Sequence, residues 1–262
     1  MQRLLIISMI LILFAVLLSG QITSDVEDHY QILRGKAVEN LGTLPIEKGN
    51  ELFELLNEFP DVIMAFFLAY EESSKLLLAN PQDLVSHHYR VRQLWEEYKD
   101  KYSLPFFLSY IAKITVTDER ITPYRDLFEE YGLYQLKQHY PNKRDLVIEL
   151  NLWTRRFMTF KPTSGRDMAP YDILKRSNIG RCEEMQIFFI SAARSVGIPA
   201  RPAMTPLWAH TDNNHAWVEV FVDGKWSYLG AVEPAYEIDY AWFSASAAKA
   251  IMIMATAAFP AE

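Results

Sequence analysis

The stretch Gly180-Arg181-Cys182-Glu183-Glu184-Met185 leads into the most apolar helix candidate of this chain, which we predict over residues 183–196. Gly197 follows directly, and Pro199 comes two residues later. Glycine tolerates the left-handed conformation that ends many helices, and proline cannot continue the backbone hydrogen bonds. We therefore predict that the helix stops here and that a short strand occupies residues 200–204.

A hairpin pattern follows this unit. Residues 215–222 alternate, with an alanine and three valines on one face and with His215 and Trp217 on the other. Asp223-Gly224 can supply the positive backbone angles of a two-residue turn, and residues 225–229 return. The pattern predicts an antiparallel hairpin whose valines pack inward.

Helical periodicity dominates the chain before residue 144, with prolines between the segments. We predict helices over residues 46–59, 61–78, 84–102 and 146–160, and another in the Ala- and Met-rich residues 241–262. The chain thus has helices in its first part and a helix followed by strands in its second part, which indicates an α+β protein. We divide the chain into residues 1–20, a helical region over 21–144 and a core over 145–262.

Composition excludes several classes of protein. The chain has 262 residues, of which half are hydrophobic, and its net charge is −7. Such a chain can bury a real core and is not disordered. The acidic balance argues against nucleic-acid binding, which needs clustered positive charge. A single cysteine also excludes an internal disulfide.

The first twenty residues predict a secretory signal. Met1-Gln2-Arg3 is followed by an apolar stretch over residues 4–18, which is too short for a bilayer span of about 20 residues. Small residues follow this stretch, as they do at the cleavage site of a signal peptide. We expect an extracytoplasmic protein, either periplasmic, surface-bound or secreted. Gln21 has no thiol to acylate, so no lipid anchor is expected. The alternative is an uncleaved signal anchor, which would be the protein's only contact with a membrane.

Cys182 is the candidate nucleophile. A thiol at a helix start faces unpaired amide N–H groups and the positive end of the helix dipole, which favour the thiolate. Arg181 adds a positive charge nearby. The alternative is a buried structural cysteine, a common fate of a free thiol.

His215 is the candidate base. Histidine titrates near neutral pH, and it can take a proton from a cysteine and pair with the thiolate. The alternatives are a strand-end histidine with no chemical role, or a ligand in a zinc site with His210, Asp212 and Cys182, for which the spacing is weak. The adjacent His87-His88 pair lies in a charged helical stretch and is interpreted as part of a solvated face.

Two blocks resemble the transglutaminase-like superfamily. Residues 180–185, continued by residues 192–201, are similar to its nucleophile helix, and residues 214–226 are similar to its histidine hairpin. Asn151-Leu152-Trp153 and Lys161-Pro162-Thr163 look like the helix and loop that precede the cysteine in bacterial members. The resemblance implies a papain-like arrangement in which Cys182 attacks an amide carbonyl, His215 carries the proton and a carboxylate orients the ring. It implies no metal and no organic cofactor.

The carboxylate that would orient the histidine ring does not follow the family's pattern. Counting fifteen residues from His215, where relatives carry an aspartate, reaches Gly230, and Glu233-Pro234 comes three residues later. Strand parity places Glu233 on the face away from His215, so Glu233 can serve only if the strand ends or bulges there. The alternative is a surface glutamate. The chain also stops where related chains continue, so we expect a core shortened at its C-terminus.

These patterns favour an exported bacterial thiol enzyme that cleaves or transfers acyl groups at amide bonds of peptides or proteins. The predicted catalytic residues are Cys182, His215 and Glu233. The second hypothesis is a non-catalytic binding or surface-scaffold domain that keeps the fold without the reaction.

Overall fold

The computed structural model describes residues 26–162, 167–176, 178–233 and 235–257. The predicted signal over residues 1–20 lies outside the described residues. The chain divides into two compact units, one through Tyr70 and one from Glu71 onward.

The described part of the first unit, residues 26–70, contains three helices. Helix α1 occupies residues 26–41 of the described chain, followed by α2 (Ile46–Glu58) and α3 (Val62–Tyr70). Leu52, Leu55 and Leu56 form the buried stripe of α2, at the spacing that predicted it. Oδ1 of Asp61 accepts the first free N–H groups of α3 and so caps that helix.

The prediction of one helix over residues 61–78 is wrong. Helix α3 ends at Tyr70, and a separate helix α4 (Ser73–Leu78) begins in the second unit. Between them lies Glu71, whose buried carboxylate accepts hydrogen bonds from the backbone of Ile114 and Thr115. Satisfying those buried groups fixes the chain direction at Glu71, which a periodicity argument does not include.

The second unit holds the remaining helices of the described chain. They are α5 (Pro81–Tyr98), α6 (Leu104–Phe107), a π-helical turn (Leu108–Ala112), α7 (Tyr124–Glu130), α8 (Leu133–His139), α9 (Lys143–Arg155), α10 (Pro170–Lys175), α11 (Cys182–Ser195) and α12 (Ser244–Ala247). Side chains of Asn80 and Asn142 cap α5 and α9, so both helices begin three residues before the predicted positions.

The interpretation of His87-His88 as a solvated face is wrong. Both residues lie on α5 and are completely buried. Nε2 of His87 lies 2.7 Å from the carbonyl oxygen of Thr122, and burial holds the pKa of His87 well below its usual range. The neighbouring charges on α5 point elsewhere, because a helix shows several faces within one short stretch of sequence.

Two sheets complete the unit. Strands β3 (Ala200–Thr205), β4 (His215–Val222), β5 (Lys225–Leu229) and β6 (Met254–Ala255) form an antiparallel sheet in the order β5-β4-β3-β6. Val222 pairs with Lys225 across the Asp223-Gly224 turn, which confirms the predicted hairpin and its register. The short strands β1 (Thr159–Phe160) and β2 (Ile179–Gly180) pair in parallel. The predicted helix over residues 146–160 therefore ends early, at Arg155.

Helix α11 lies at the centre of this unit. Every residue from Glu184 to Ser195 is buried, and the helix packs on β3, β4 and α9. Nε2 of Gln186 donates to the carbonyl oxygens of Ala203 and Trp217, which ties the helix to both strands. Gly197 ends the helix region with φ +78°, as predicted from its position. Helices packed on an antiparallel sheet confirm the α+β class.

The predicted helix over residues 241–262 is wrong. Among the described residues 241–257, only Ser244–Ala247 are α-helical, and Met254–Ala255 instead add an edge strand to β3. Residues 258–262 lie outside the described residues. Within the part of the chain that the structure describes, no helix combines the length and apolar character that a membrane crossing needs.

Candidate functional site

The start of α11 is fixed by the residues around Cys182. A Cβ added to Gly180 would collide with Cε of Met158 and with the side chain of Glu184, so only glycine fits at this position. Glu184, three residues beyond the N-cap Arg181, accepts the backbone N–H of Arg181 at 2.8 Å. This contact satisfies a donor that a helix start leaves free, and it places Cys182 as the first residue of the helix.

Glu184 also holds the neighbouring loop. Its side chain is completely buried, and it accepts hydrogen bonds from the guanidinium of Arg181 and from the backbone N–H of Asp167. Burial opposes ionisation of Glu184, but the hydrogen bonds from Arg181 outweigh it and lower the pKa of this carboxyl. The charge of Arg181 is therefore matched by Glu184 rather than directed at the thiol.

The three predicted site residues line one cavity of about 710 Å³. Cys182 comes from α11, His215 from the first position of β4, and Glu233 from the turn after β5. The cavity is lined by Phe160, Pro162, Arg181, Cys182, Glu183, Trp208, Asn213, Asn214, His215, Glu233 and Trp242. The fold thus brings together residues that are up to 51 positions apart in the sequence, from Cys182 to Glu233.

The sulfur of Cys182 has a mixed environment. Sγ donates to Oε2 of Glu183 at 3.1 Å, and the backbone N–H groups of Ala216 and of Cys182 itself donate to Sγ. Burial and the Glu183 carboxylate raise the pKa of the thiol to about 12, and the two N–H groups only partly oppose this. Contrary to the expectation of a thiolate, burial and a neighbouring anion thus favour the protonated thiol more strongly than the helix start favours the thiolate.

His215 sits among aromatic rings. Its ring centroid lies 4.7 Å from Phe243, 5.0 Å from Trp242 and 5.9 Å from Trp208, and the residue is only 7% exposed. Burial lowers the pKa of His215 to about 4. Nε2 is buried and has no hydrogen-bond partner among the described residues. The imidazole is therefore neutral at pH 7 and able to accept a proton.

The turn after β5 explains how Glu233 reaches the cavity. Strand β5 ends at Leu229, and Val232 has a positive φ of +61°, so the strand parity that would turn Glu233 away no longer applies. Nδ2 of Asn151 on α9 donates to the carbonyl oxygens of Gly230 and Glu233, at 2.9 and 3.0 Å, and holds this turn. The condition stated for Glu233 from the sequence, a strand that ends before it, is met.

The carboxylate of Glu233 fills the space beside Gly230. A Cβ added to Gly230 would collide with Oε2 and would lie 3.0 Å from Cβ of Glu233. Nε1 of Trp242 donates to Oε2 at 2.8 Å, and burial raises the pKa of the Glu233 carboxyl. Within the described chain, Glu233 is hydrogen-bonded to Trp242 rather than to Nε2 of His215.

Sequence reasoning gave no role to several residues of this site. Glu183 contacts the thiol, and its Oε1 accepts a hydrogen bond from Nδ2 of Asn214 at 3.1 Å. Trp242 bonds Glu233 and packs on His215, and Asn151 supports the turn. The position of Glu183 directly after the thiol was the available signal, whereas Trp242 lay in a segment interpreted as a packed helix.

The structure shows no set of ligands for the alternative zinc site in the described chain. Among residues 26–162, 167–176, 178–233 and 235–257, no three His, Cys, Asp or Glu side chains lie where they could hold one ion.

Comparison with known proteins identifies the fold of this region. Residues 134–231 match the model of the transglutaminase-like superfamily. The match covers 98 of the 262 residues, so this part of the chain is similar to the transglutaminase-like superfamily. The matched segment contains Cys182 and His215, and Glu233 lies two residues beyond it. No curated protein matches the chain.

A solved structure from Cytophaga hutchinsonii, described as a "Putative Cysteine Protease", resembles the chain at 18% identity and a TM-score of 0.33. The likeness covers 49% of this chain and 48% of that protein, so the chain spans about half the length of this relative. Cys182 and His215, which both lie in the matched segment, line the same cavity.

Proposed function

We propose that this protein is a thiol enzyme that cleaves or transfers acyl groups at amide bonds of peptides or proteins. The observation that carries the proposal is the shared cavity of Cys182 and His215. The N–H of Ala216, the residue after His215, donates to the sulfur, so the start of β4 lies directly against the nucleophile. A transglutaminase-like core with this pair supports chemistry through a thioester.

The first half of the reaction forms the thioester. Sγ of Cys182 attacks the amide carbonyl carbon as its proton passes to the neutral His215, and the carbonyl electron pair moves onto oxygen. The C–N bond then breaks, the pair returns to the carbonyl, and the leaving amine takes the proton from His215. The backbone N–H of Cys182, at the helix start, is the proposed donor to the oxyanion.

The second half releases the acyl group. Water or an amine attacks the thioester and His215 accepts the proton of the attacking group. The C–S bond then breaks as the carbonyl re-forms, and His215 passes that proton to the sulfur, which restores the thiol and the neutral imidazole. We favour hydrolysis over crosslinking because water is always present, whereas an acceptor amine must be bound.

A neutral starting pair fits this sequence of steps. With the thiol pKa near 12 and the imidazole pKa near 4, proton transfer has to occur together with attack on the carbonyl. Glu233 is proposed to orient the ring through Trp242, which contacts both residues. Loss of this orientation would weaken the reaction without abolishing it.

We also propose an extracytoplasmic location, on the basis of the signal-like residues 1–20. Fractionation of expressing bacteria tests it, with the intact mass of the recovered protein as a second readout. Protein found outside the cytoplasm and shortened near residue 20 supports the proposal. Full-length protein in the cytoplasm contradicts it.

A non-catalytic binding domain is the second candidate. The raised pKa of Cys182 favours it, as does the absence of a carboxylate bonded to Nε2 of His215 within the described residues. In that case the cavity would bind a peptide without forming a thioester.

Mass spectrometry of a mixed peptide library separates these candidates. The protein and its Cys182→Ala variant are incubated with the library at pH 7, and melting curves establish that both are folded. Shortened peptides indicate proteolysis, ammonia release without new bonds indicates deamidation, and joined peptides indicate crosslinking; each supports the enzyme if the variant lacks it. Identical spectra for the two proteins overturn the enzyme proposal.

A further inference from the structure

We propose that Glu183 is a specificity-determining residue that selects substrates carrying a positively charged group beside the reacting carbonyl. This inference rests on the proposed function, because it assigns the substrate class of the same cavity. It concerns a residue to which the predicted reaction gives no role.

Two contacts fix the carboxylate of Glu183 beside the nucleophile. Oε2 lies 3.1 Å from Sγ of Cys182, and Oε1 lies 3.1 Å from Nδ2 of Asn214, which immediately precedes His215. Glu183 therefore bridges the start of α11 and the start of β4, the two elements that supply the nucleophile and the base. Any substrate carbonyl that reaches Sγ must pass close to this carboxylate.

The charge of Glu183 is poorly compensated within the cavity. Arg181 is the basic residue among those that line it, and its Nη2 lies 2.7 Å from Oε1 of the buried Glu184 and 3.7 Å from Oδ1 of Asp167. Its Nε is 3.9 Å from Glu183, at the limit of an ion pair. Glu233 is the other acidic residue that lines the cavity. The balance of charge around the sulfur is therefore negative.

Aromatic faces border the same space. Trp242 is 66% exposed, Phe160 is 53% exposed, and Trp208 lines the cavity with its ring stacked on His215. A cation beside Glu183 could also lie against such a ring face, which attracts positive charge. Nε2 of His215, which is buried and has no hydrogen-bond partner in the described part of the chain, is a second polar group in the cavity that a bound substrate can satisfy.

Binding of a cation would also change the environment of the thiol. An ammonium or guanidinium group that pairs with Oε2 of Glu183 takes the place of the Sγ–H donor and neutralises the adjacent anion. The sulfur is then free to approach the carbonyl and gives up its proton more readily. An acidic substrate group at the same place would be repelled.

Charged thiol reagents test the electrostatic part of this inference without turnover. The reagents are a cationic (trimethylammonium) and an anionic (sulfonate) ethyl methanethiosulfonate, and Cys182 is the only thiol of the chain, so all labelling reports on this site. The measured quantity is the ratio of the two rate constants. A change in the pKa of the thiol affects both reagents equally and cancels in the ratio.

We expect the wild-type protein to react faster with the cationic reagent and the ratio to fall at least roughly fivefold in Glu183→Gln. Glu237→Gln, at an exposed position that does not line the cavity, is the matched control and should leave the ratio unchanged. Equal ratios in wild type and Glu183→Gln, or faster reaction of the wild type with the anionic reagent, overturn the inference. The proposed function can fail with this result intact, because labelling requires no amide-bond chemistry.

A second experiment locates the cation on the substrate. Matched peptides with lysine or norleucine next to the target amide are compared without added amine. Neutral peptides are then incubated with one of two acceptor amines, a cationic diamine or a monoamine, and the reaction rates with the two acceptors are compared. Preference for lysine that is lost in Glu183→Gln, mainly through KM, assigns the cation to the acyl donor. Preference for the diamine that is lost in the variant assigns it to the acceptor. Equal preferences in both proteins, in both comparisons, overturn the substrate assignment.

Discussion

The side chain of Glu233 occupies the space that a side chain on Gly230 would need. A Cβ at Gly230 would lie 3.0 Å from Cβ and 3.1 Å from Cδ of Glu233 and would collide with its Oε2. A carboxylate three residues later in the chain thus reaches the position beside residue 230. The contact requires glycine at 230 and the turn that Asn151 holds.

We predict that Gly230→Ala destabilises the protein by about 1–3 kcal/mol, because Glu233 must move out of a packed position. Urea unfolding monitored by circular dichroism measures the change. In Gly230→Ala with Glu233→Ala the collision with Oε2 and the close contact with Cδ are removed, and only the 3.0 Å contact between the two Cβ atoms remains, so the double variant should be more stable than the sum of the single effects indicates. Additive effects would show that the two side chains do not compete for this space.

The reactivity of Cys182 should reflect its raised pKa. We expect iodoacetamide to label the native protein more slowly than the urea-unfolded protein at pH 9, with the native rate rising toward pH 12. Glu183→Gln should move the native profile to lower pH, since it removes the neighbouring anion. A native profile centred below pH 9 would contradict the environment described for the sulfur.

Stability should fall in acid through His215. The folded pKa is about 4, below the usual value of 6.5, so the unfolded chain takes up a proton first as pH decreases. The free energy of unfolding therefore decreases from about pH 6.5 to pH 4 and loses nothing further from this group below pH 4. Urea midpoints across this range, compared with His215→Gln, measure the effect. Parallel curves for the two proteins would exclude His215 as the source.

Glu184 should be a major determinant of the site's stability. Glu184→Gln removes a completely buried carboxylate that binds Arg181 and the N–H of Asp167, and we expect a loss of about 3 kcal/mol. Glu219→Gln is the matched control, because its ion pair with Arg201 at 2.6 Å is partly exposed and should contribute less than about 1 kcal/mol. Similar losses in the two variants would contradict the role given to Glu184.

Local sequence patterns predicted the parts of the fold whose determinants are close in the chain. The Gly197 helix end and the Asp223-Gly224 turn need particular backbone angles that few residues adopt, so they could be read from residue type. The alternation over residues 215–222 likewise predicted the register of the hairpin. The predictions were wrong where burial by distant residues decides the structure. His87-His88 were predicted to face solvent and are buried, and the helix predicted over residues 61–78 is interrupted at the buried Glu71.

The sequence pointed to the residues that line the candidate site, but it did not predict the pKa values of their side chains. Cys182 and His215 were found from a helix start, a strand start and a family resemblance, and the structure places both at one cavity. The pKa of each group depends on how much water the tertiary structure removes and on which charges it brings close. The helix start favoured a thiolate, but burial and Glu183 have the larger effect.

By itself, the sequence determined the α+β class, the helix that follows Arg181 and the hairpin that begins at His215, because these follow from short-range periodicity and residue type. The similarity to the superfamily was carried by two blocks of motif residues. Only the tertiary structure decided that Glu233 fills the place beside Gly230, that Glu183 contacts the thiol and that aromatic rings surround His215. These contacts join residues from separate elements, and their energies depend on distance and burial, which are not properties of any local stretch of the chain.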